Sequence, residues 1–290
     1  VRWLDPADQA RLKGLGLVPR RPAGPSAPGR HRTAARGFTR DFAQHRPYAP
    51  GDEARAIDWK AYARLDRYFV REYRAEDRLS MVVVLDATAS MSFAGAGRPP
   101  KFDFARRAAL GLSWTALAQG DEAGLIVAGA GAPSGLPPRA GAAQLGALDA
   151  ALEGAAAATG AEGDLAAALE AAAARLPRRA AVVVVSDLLG DPARILTALR
   201  RLSAGRRELL VLRVLDPDER DFPYEGPLRV EGLEGGTLLL DAAQAAPAYR
   251  AAFARNEETY RAALGRGGVP YAVLATDAPW TAAVARLLTT

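Results

Sequence analysis

The sequence predicts a doubly wound, mostly parallel α/β sheet with an amino-terminal β-hairpin extension. Three observations carry that expectation. Two short apolar, β-branched runs, 79–85 and 180–186, have the composition of strands buried on both faces. From residue 79 onward, runs of this kind alternate with alanine- and leucine-rich helical periods, the pattern of a parallel sheet covered by helices on both sides. Each of the two runs ends in an acid, Asp86 and Asp187, at the strand end where open α/β sheets take their ligands.

The elements follow in order. Residues 1–37 read as a basic, flexible arm with a short amphipathic helix near Pro6–Leu15. From Val18 the arm is rich in Pro, Gly and Arg and has too little apolar surface to order itself. Residues 38–78 read as the hairpin. Pro50-Gly51-Asp52 is a turn signal, and Ile57, Trp59, Ala61 and Ala63 alternate with polar neighbours before 68–73 returns. Tyr48 and Trp59 are expected in the core. Residues 79–290 form the α/β domain, with strands at 79–86, 123–128, 180–186, 209–215 and 271–275. Helices are expected over 102–118, 140–153, 165–176, 245–264 and 280–288. Another starts at Asp191 or Pro192, an acid and a proline placed as capping favours, and runs to Leu202. A second hairpin crosses Glu234-Gly235-Gly236. Asp216, Asp218, Glu219 and Asp221 lack the glycine and terminal glutamate of a calcium loop and read as a solvated loop.

Composition removes several chemistries. The 290 residues contain no cysteine and two histidines, His31 and His45. Disulfides, thiolate nucleophiles and cysteine-ligated zinc are excluded, and a Ser-His-Asp triad would have to use the amino-terminal segment. No apolar run reaches the roughly 18 residues of a membrane helix, and the first residues lack a signal-peptide pattern, so a cytoplasmic protein without a membrane helix is expected. The net charge of +5 is uneven: residues 1–79 carry 17 Lys/Arg against 10 Asp/Glu.

The chemistry converges on one crevice. In the strand order 3-2-1-4-5-6, the strands ending in Asp86 and Asp187 are neighbours and the order reverses between them, so their following loops part. Thr88 and Ser90 follow Asp86 at a spacing of two and project from one side of an extended loop. A hard cation takes about six oxygens. Asp86, Thr88, Ser90 and Asp187 with water supply them and leave one position for an outside ligand. Mg²⁺ suits such a site, with Mn²⁺ or Ca²⁺ as alternatives. The hairpin residues Arg46, Asp52, Arg55, Asp58, Lys60 and Arg64 form either a partner-binding face or an ion-pair network that docks the hairpin.

Two motifs carry a resemblance. Asp86-Ala87-Thr88-Ala89-Ser90 resembles the D-x-S-x-S motif of the metal-ion-dependent adhesion site of von Willebrand factor A-type domains, with threonine for the first serine, and Ser186-Asp187 resembles its last motif. In Ala161-Glu162-Gly163-Asp164-Leu165, Gly163 stands where that site has its middle threonine, which leaves Asp164 or a water as the substitute ligand. The segment Arg46-x-Tyr48-x-Pro50-Gly51-Asp52-x-x-Arg55-x-Ile57-Asp58-Trp59-Lys60, with Val70-Arg71-Glu72-Tyr73, Asp216-Pro217-x-Glu219 and Phe222-Pro223, is similar to the domain of unknown function 58 family over about residues 38–290. The resemblance implies a von Willebrand A-like fold. It also implies a partner, an AAA+ ATPase of MoxR type, and an adaptor role toward an unknown client protein in assembly or maturation.

Two other function classes compete with this interaction module. A magnesium-dependent phosphotransferase or phosphatase of haloacid-dehalogenase type also uses an aspartate after a buried strand. It needs a second acid two residues on as proton shuttle, and Thr88 stands there. A nucleic-acid binder would use the arginine-rich arm. Residues 4–37 hold no aromatic side chain for base stacking, so such binding is expected to be non-specific and salt-sensitive. The sequence favours a non-enzymatic, cation-dependent interaction protein.

Overall fold

The structure, a computed structural model, describes residues 2–16, 41–49, 52, 57–74, 78–158, 163–231 and 237–289. The chain divides into two units: Val1–Pro22 with Leu79–Thr290, and Ala23–Arg78. In chain order, α1 (Pro6–Leu12) belongs to the larger unit. The smaller unit holds β1 (Asp41–Pro47), α2 (Trp59–Leu65) and β2 (Phe69–Arg74). The larger unit resumes with β3 (Ser80–Ala87), a 3₁₀ turn (Ala89–Ser92), α3 (Lys101–Ala118), β4 (Glu122–Gly129) and β5 (Ser134–Arg139). There follow α4 (Ala142–Gly154), α5 (Leu165–Ala173), β6 (Arg179–Ser186), α6 (Pro192–Leu202) and β7 (Arg206–Leu215). It ends with α7 (Pro217–Asp221), β8 (Pro227–Glu231), β9 (Thr237–Asp241), α8 (Ala242–Arg266), β10 (Tyr271–Ala275) and α9 (Trp280–Thr289).

The larger unit is built on a six-stranded sheet in the order β10-β7-β6-β3-β4-β5, parallel except for β5, which runs antiparallel to β4. This is the expected fold class. Both faces of the central strands are buried, which is why their sequence is continuously apolar. Met81, Val83 and Leu85 of β3 pack with Leu12 of α1, Leu112 of α3, Leu148 of α4 and Val284 of α9. Val82 and Val84 face the other way, among Leu169 of α5, Ile195 of α6 and Tyr260 of α8. The chain leaves β3 toward β4 and β5, then returns to β6, β7 and β10 on the opposite side. The order therefore switches between β3 and β6, where Leu85 lies opposite Val185.

Four expectations change. The short helix near the amino end is no part of a free arm: Leu4 and Leu12 are buried, and Leu12 reaches Gly111 of α3 beside Trp280. Residues 17–40 of the expected arm lie outside the described residues. β5, with sequence SGLPPR, was not expected from its glycine and prolines; an edge strand tolerates proline because one side of it needs no N–H donor. The acidic stretch after β7 is not a solvated loop: Asp216 is buried and caps α7 through a reciprocal capping box with Glu219.

The fourth change is in the smaller unit. β1 and β2 pair antiparallel, as a hairpin requires, but the alternating residues of 57–64 do not form its strand. They enter α2. The Asp58 carboxylate accepts the Lys60 and Ala61 amides at 3.0 and 3.3 Å, a side-chain N-cap followed by Lys, Ala, Arg and Leu. Capping and helix propensity override the period of two. Asp66, with φ 48°, ends the helix in the left-handed region. Tyr48 and Trp59 are exposed rather than core, Trp59 to 60%.

Candidate functional site

The carboxyl ends of β3 and β6 bring the four expected side chains together. Asp86 is the seventh residue of β3 and Asp187 directly follows β6. One Asp86 oxygen accepts the Thr88 amide at 2.8 Å, and the other accepts the Ser186 hydroxyl at 2.5 Å. The Thr88 and Ser90 hydroxyls lie 3.1 Å apart. The Thr88 hydroxyl helps to hold the Asp86 carboxyl down against burial, and the Ser90 hydroxyl does the same for Asp187. Asp86, Thr88, Ser90 and Asp187 thus form one chain of oxygen atoms across the switch point, all of them buried.

The loop after β6 is tightly held. Asp187 Oδ1 accepts the Leu189 amide at 2.9 Å. Leu188 between them has φ 56°, a left-handed conformation that costs a branched side chain energy. Two contacts enforce it: the Tyr260 hydroxyl donates to the Leu188 carbonyl at 3.0 Å, and Arg213 Nε donates to the Asp187 carbonyl at 2.9 Å.

Four participating residues were not expected from sequence: Lys101, Glu219, Arg98 and Asp216. Lys101 is 1% exposed, and its ammonium donates to Asp187 Oδ2 at 2.7 Å and to Glu219 Oε1 at 2.6 Å. Beside it, Arg98 grips Asp216 with Nε at 3.0 Å and Nη2 at 2.8 Å. The signal for Lys101 was its rarity and place. It is one of three lysines in the chain and opens a helix, where the dipole disfavours a cation unless acids answer it.

Asp164 does not join the cluster through its hydrogen bonds. Its carboxylate caps α5 through the Ala166 amide at 3.0 Å and pairs with Arg194. Gly163 does reach the site: a Cβ there would lie 3.3 Å from Thr88 Cγ2, and its φ of +144° disfavours any side chain. Two cavities flank this end of the sheet. One of about 450 Å³ is lined by Ala87, Gly129 and Ala158, and one of about 510 Å³ by Gly131, Gly163 and Asp164. In the smaller unit, Asp58 is a buried helix cap, Asp52 accepts the Ala49 amide, and Lys60 and Arg64 are exposed on α2. Arg55 and the Arg46 side chain lie outside the described residues.

The electrostatics separate the two acids. Burial and the neighbouring Asp187 charge push the Asp86 carboxyl up to about 6, against the hydrogen bonds from Ser186 and Thr88. Burial works against ionisation of Asp187 too, yet the Lys101 ammonium, with the Leu189 amide and the Ser90 hydroxyl, holds its carboxyl below the ordinary value. Among the described residues no Lys, Arg or His forms an ion pair with Asp86. No group of three or more His, Cys, Asp or Glu side chains with metal-holding geometry occurs among them either. A cation here would draw on hydroxyls and water for its remaining oxygens. A buried carboxylate that no basic side chain among the described residues answers, next to two hydroxyls whose lone pairs can turn toward a bound cation, is a donor set that fits a hard divalent ion.

Fold and site together define an α/β domain with an acid-and-hydroxyl crevice at its topological switch point. The chain belongs to the family described as protein of unknown function DUF58, matched over residues 44–263. An uncharacterised protein of Mycobacterium tuberculosis is 31% identical over 289 residues, covering 98% of this chain and 90% of that protein. Among solved structures, BatB from Bacteroides thetaiotaomicron is similar at 18% identity with a TM-score of 0.46, covering 73% of this chain and 97% of its own. The SpRpn10 VWA domain is similar at 10% identity with a TM-score of 0.40, covering 73% and 94%. No helix among the described residues is long and apolar enough to cross a membrane.

Proposed function

We propose that this chain is a non-enzymatic, divalent-cation-dependent protein-interaction module, with an AAA+ ATPase of MoxR type as its partner and a client protein whose assembly or maturation the pair serves. The partner follows from the family resemblance. The cation follows from one observation: Asp86 is 1% exposed and, among the described residues, has no basic side chain paired with it. Asp86, Thr88 and Ser90 would hold Mg²⁺, with Asp187 beside it. When bound, the ion offers a ligand position that a partner's carboxylate completes.

The test is thermal and chemical unfolding in EDTA and in Mg²⁺. A carboxyl pushed up to about 6 carries a burden of up to about 3 kcal/mol at neutral pH. Asp86→Asn removes it, so this variant is expected to be about 1–3 kcal/mol more stable than wild type in EDTA. Mg²⁺ is expected to stabilise wild type and to leave Asp86→Asn unmoved. Capture of the ATPase should fall in EDTA and with Asp86→Asn. Equal capture under all conditions, with no Mg²⁺ response in wild type, would sink the proposal.

A further inference from the structure

The two sides of the crevice are answered by different kinds of positive charge. On the Asp187 side a cation is already present, covalently tethered. Lys101 Nζ lies within 2.7 Å of Asp187 and 2.6 Å of Glu219, and 5.8 Å from the centre of the Phe93 ring. With the Leu189 amide on Oδ1, both Asp187 oxygens already hold donors, one of them charged. On the Asp86 side the donors are the Thr88 amide and the Ser186 hydroxyl, neither of them charged. Two carboxylates, Asp187 and Glu219, share that one ammonium. Asp86, beside Asp187, pairs with no Lys, Arg or His among the described residues. Lys101 does not sit there by helix preference, since a cation in the first turn opposes the dipole. The two acids hold it.

We propose that Lys101 is a built-in counter-ion that withholds Asp187 and Glu219 from the metal, so that a divalent ion takes its protein oxygens from Asp86, Thr88 and Ser90 and binds with the moderate affinity of a one-carboxylate site. Lys101 is a positioning residue in this scheme. It touches neither ion nor partner, and sets how tightly the ion is held by deciding how many carboxylates can reach it. This inference rests on the cation reading of the crevice. The ammonium and the divalent ion compete for Asp187, so removing the ammonium should convert a one-carboxylate site into a two- or three-carboxylate site.

The experiment is titration of the full chain with Mg²⁺ alone, read by calorimetry and by the Mg²⁺-induced shift in unfolding temperature. Lys101→Met keeps the unbranched stem and removes the charge. It is expected to be less stable than wild type in EDTA and to bind Mg²⁺ at least tenfold more tightly. Adding Asp187→Asn should abolish that gain. Should Lys101→Met fail to fold without metal, Lys101→Met/Glu219→Gln carries the same comparison with one buried charge fewer, and is expected to bind more tightly than wild type through Asp187. Affinity in the lysine variants equal to or below that of a Mg²⁺-binding wild type overturns the role of Lys101 and leaves the cation reading standing. Binding in Lys101→Met but none in wild type supports Lys101 as the substitute ion and overturns cation dependence of the native chain. Binding in neither overturns both.

Discussion

Gly95 approaches Asp216 more closely than a side chain permits. A Cβ there would lie 2.3 Å from Asp216 Oδ1 and 2.0 Å from Arg98 Nη2. The glycine amide meanwhile donates to Asp216 Oδ2 at 3.3 Å. The close approach lets one short loop carry Arg98 onto Asp216 and Lys101 onto Asp187, each a long-range pair that neither local sequence encodes. Gly95→Ala must push the buried carboxylate or the guanidinium aside. It is expected to cost roughly 2 kcal/mol, within the range for disturbing a buried ion pair. The check is the urea midpoint, which should fall with the slope unchanged. A midpoint equal to wild type would show that Arg98 relaxes freely and that the loop is less constrained than its contacts imply.

The elements show what a sequence can declare about itself. β3 and β6 were legible because burial on both faces leaves an unbroken apolar run, and Asp86 and Asp187 were legible because each ends such a run. Lys101 and Glu219 were not: they are separated by 118 residues, and only the folded sheet sets them together. β5 was hidden by its prolines, and α7 by its five-residue length. α2 was read as a strand because alanines at 61 and 63 beside Trp59 satisfy a period of two, while the cap at Asp58 that decides the matter reads equally as a turn residue. That cap gives an expectation of its own. Asp58→Ala leaves the Lys60 and Ala61 amides without their side-chain acceptor and should weaken α2 by about 1 kcal/mol. Amide exchange over 61–65 should then quicken about fivefold, while the Mg²⁺ response, which belongs to the other unit, stays put. Unchanged exchange would mean that contacts other than the cap hold this helix.

Across the whole molecule, the acids that close β7, β6 and β3 stand in a row along one edge of the sheet: Asp216, Asp187 and Asp86. Arg98 answers the first and Lys101 the second, so the edge is graded from a neutralised end to a bare one. The neutralised end governs acid stability. Burial works against ionisation of Asp216, but Arg98, the Thr276 hydroxyl at 2.6 Å and the Asp218 amide at 2.9 Å together hold its carboxyl well below the usual range. Between that depressed value and the ordinary value of about 3.9, the unfolded chain binds more protons than the folded one. The stability Asp216 contributes is therefore complete above about pH 4 and is lost as pH falls through the folded-state value. Asp216→Asn leaves Arg98 with Asp218 alone and is expected to cost roughly 3 kcal/mol at pH 7. Below pH 4 its stability should decline less steeply than that of wild type, because one proton-linked group has gone. Urea midpoints taken from pH 2 to pH 7 separate the two effects. Curves for the two proteins that run parallel throughout would place the acid sensitivity of the fold elsewhere than at this strand end.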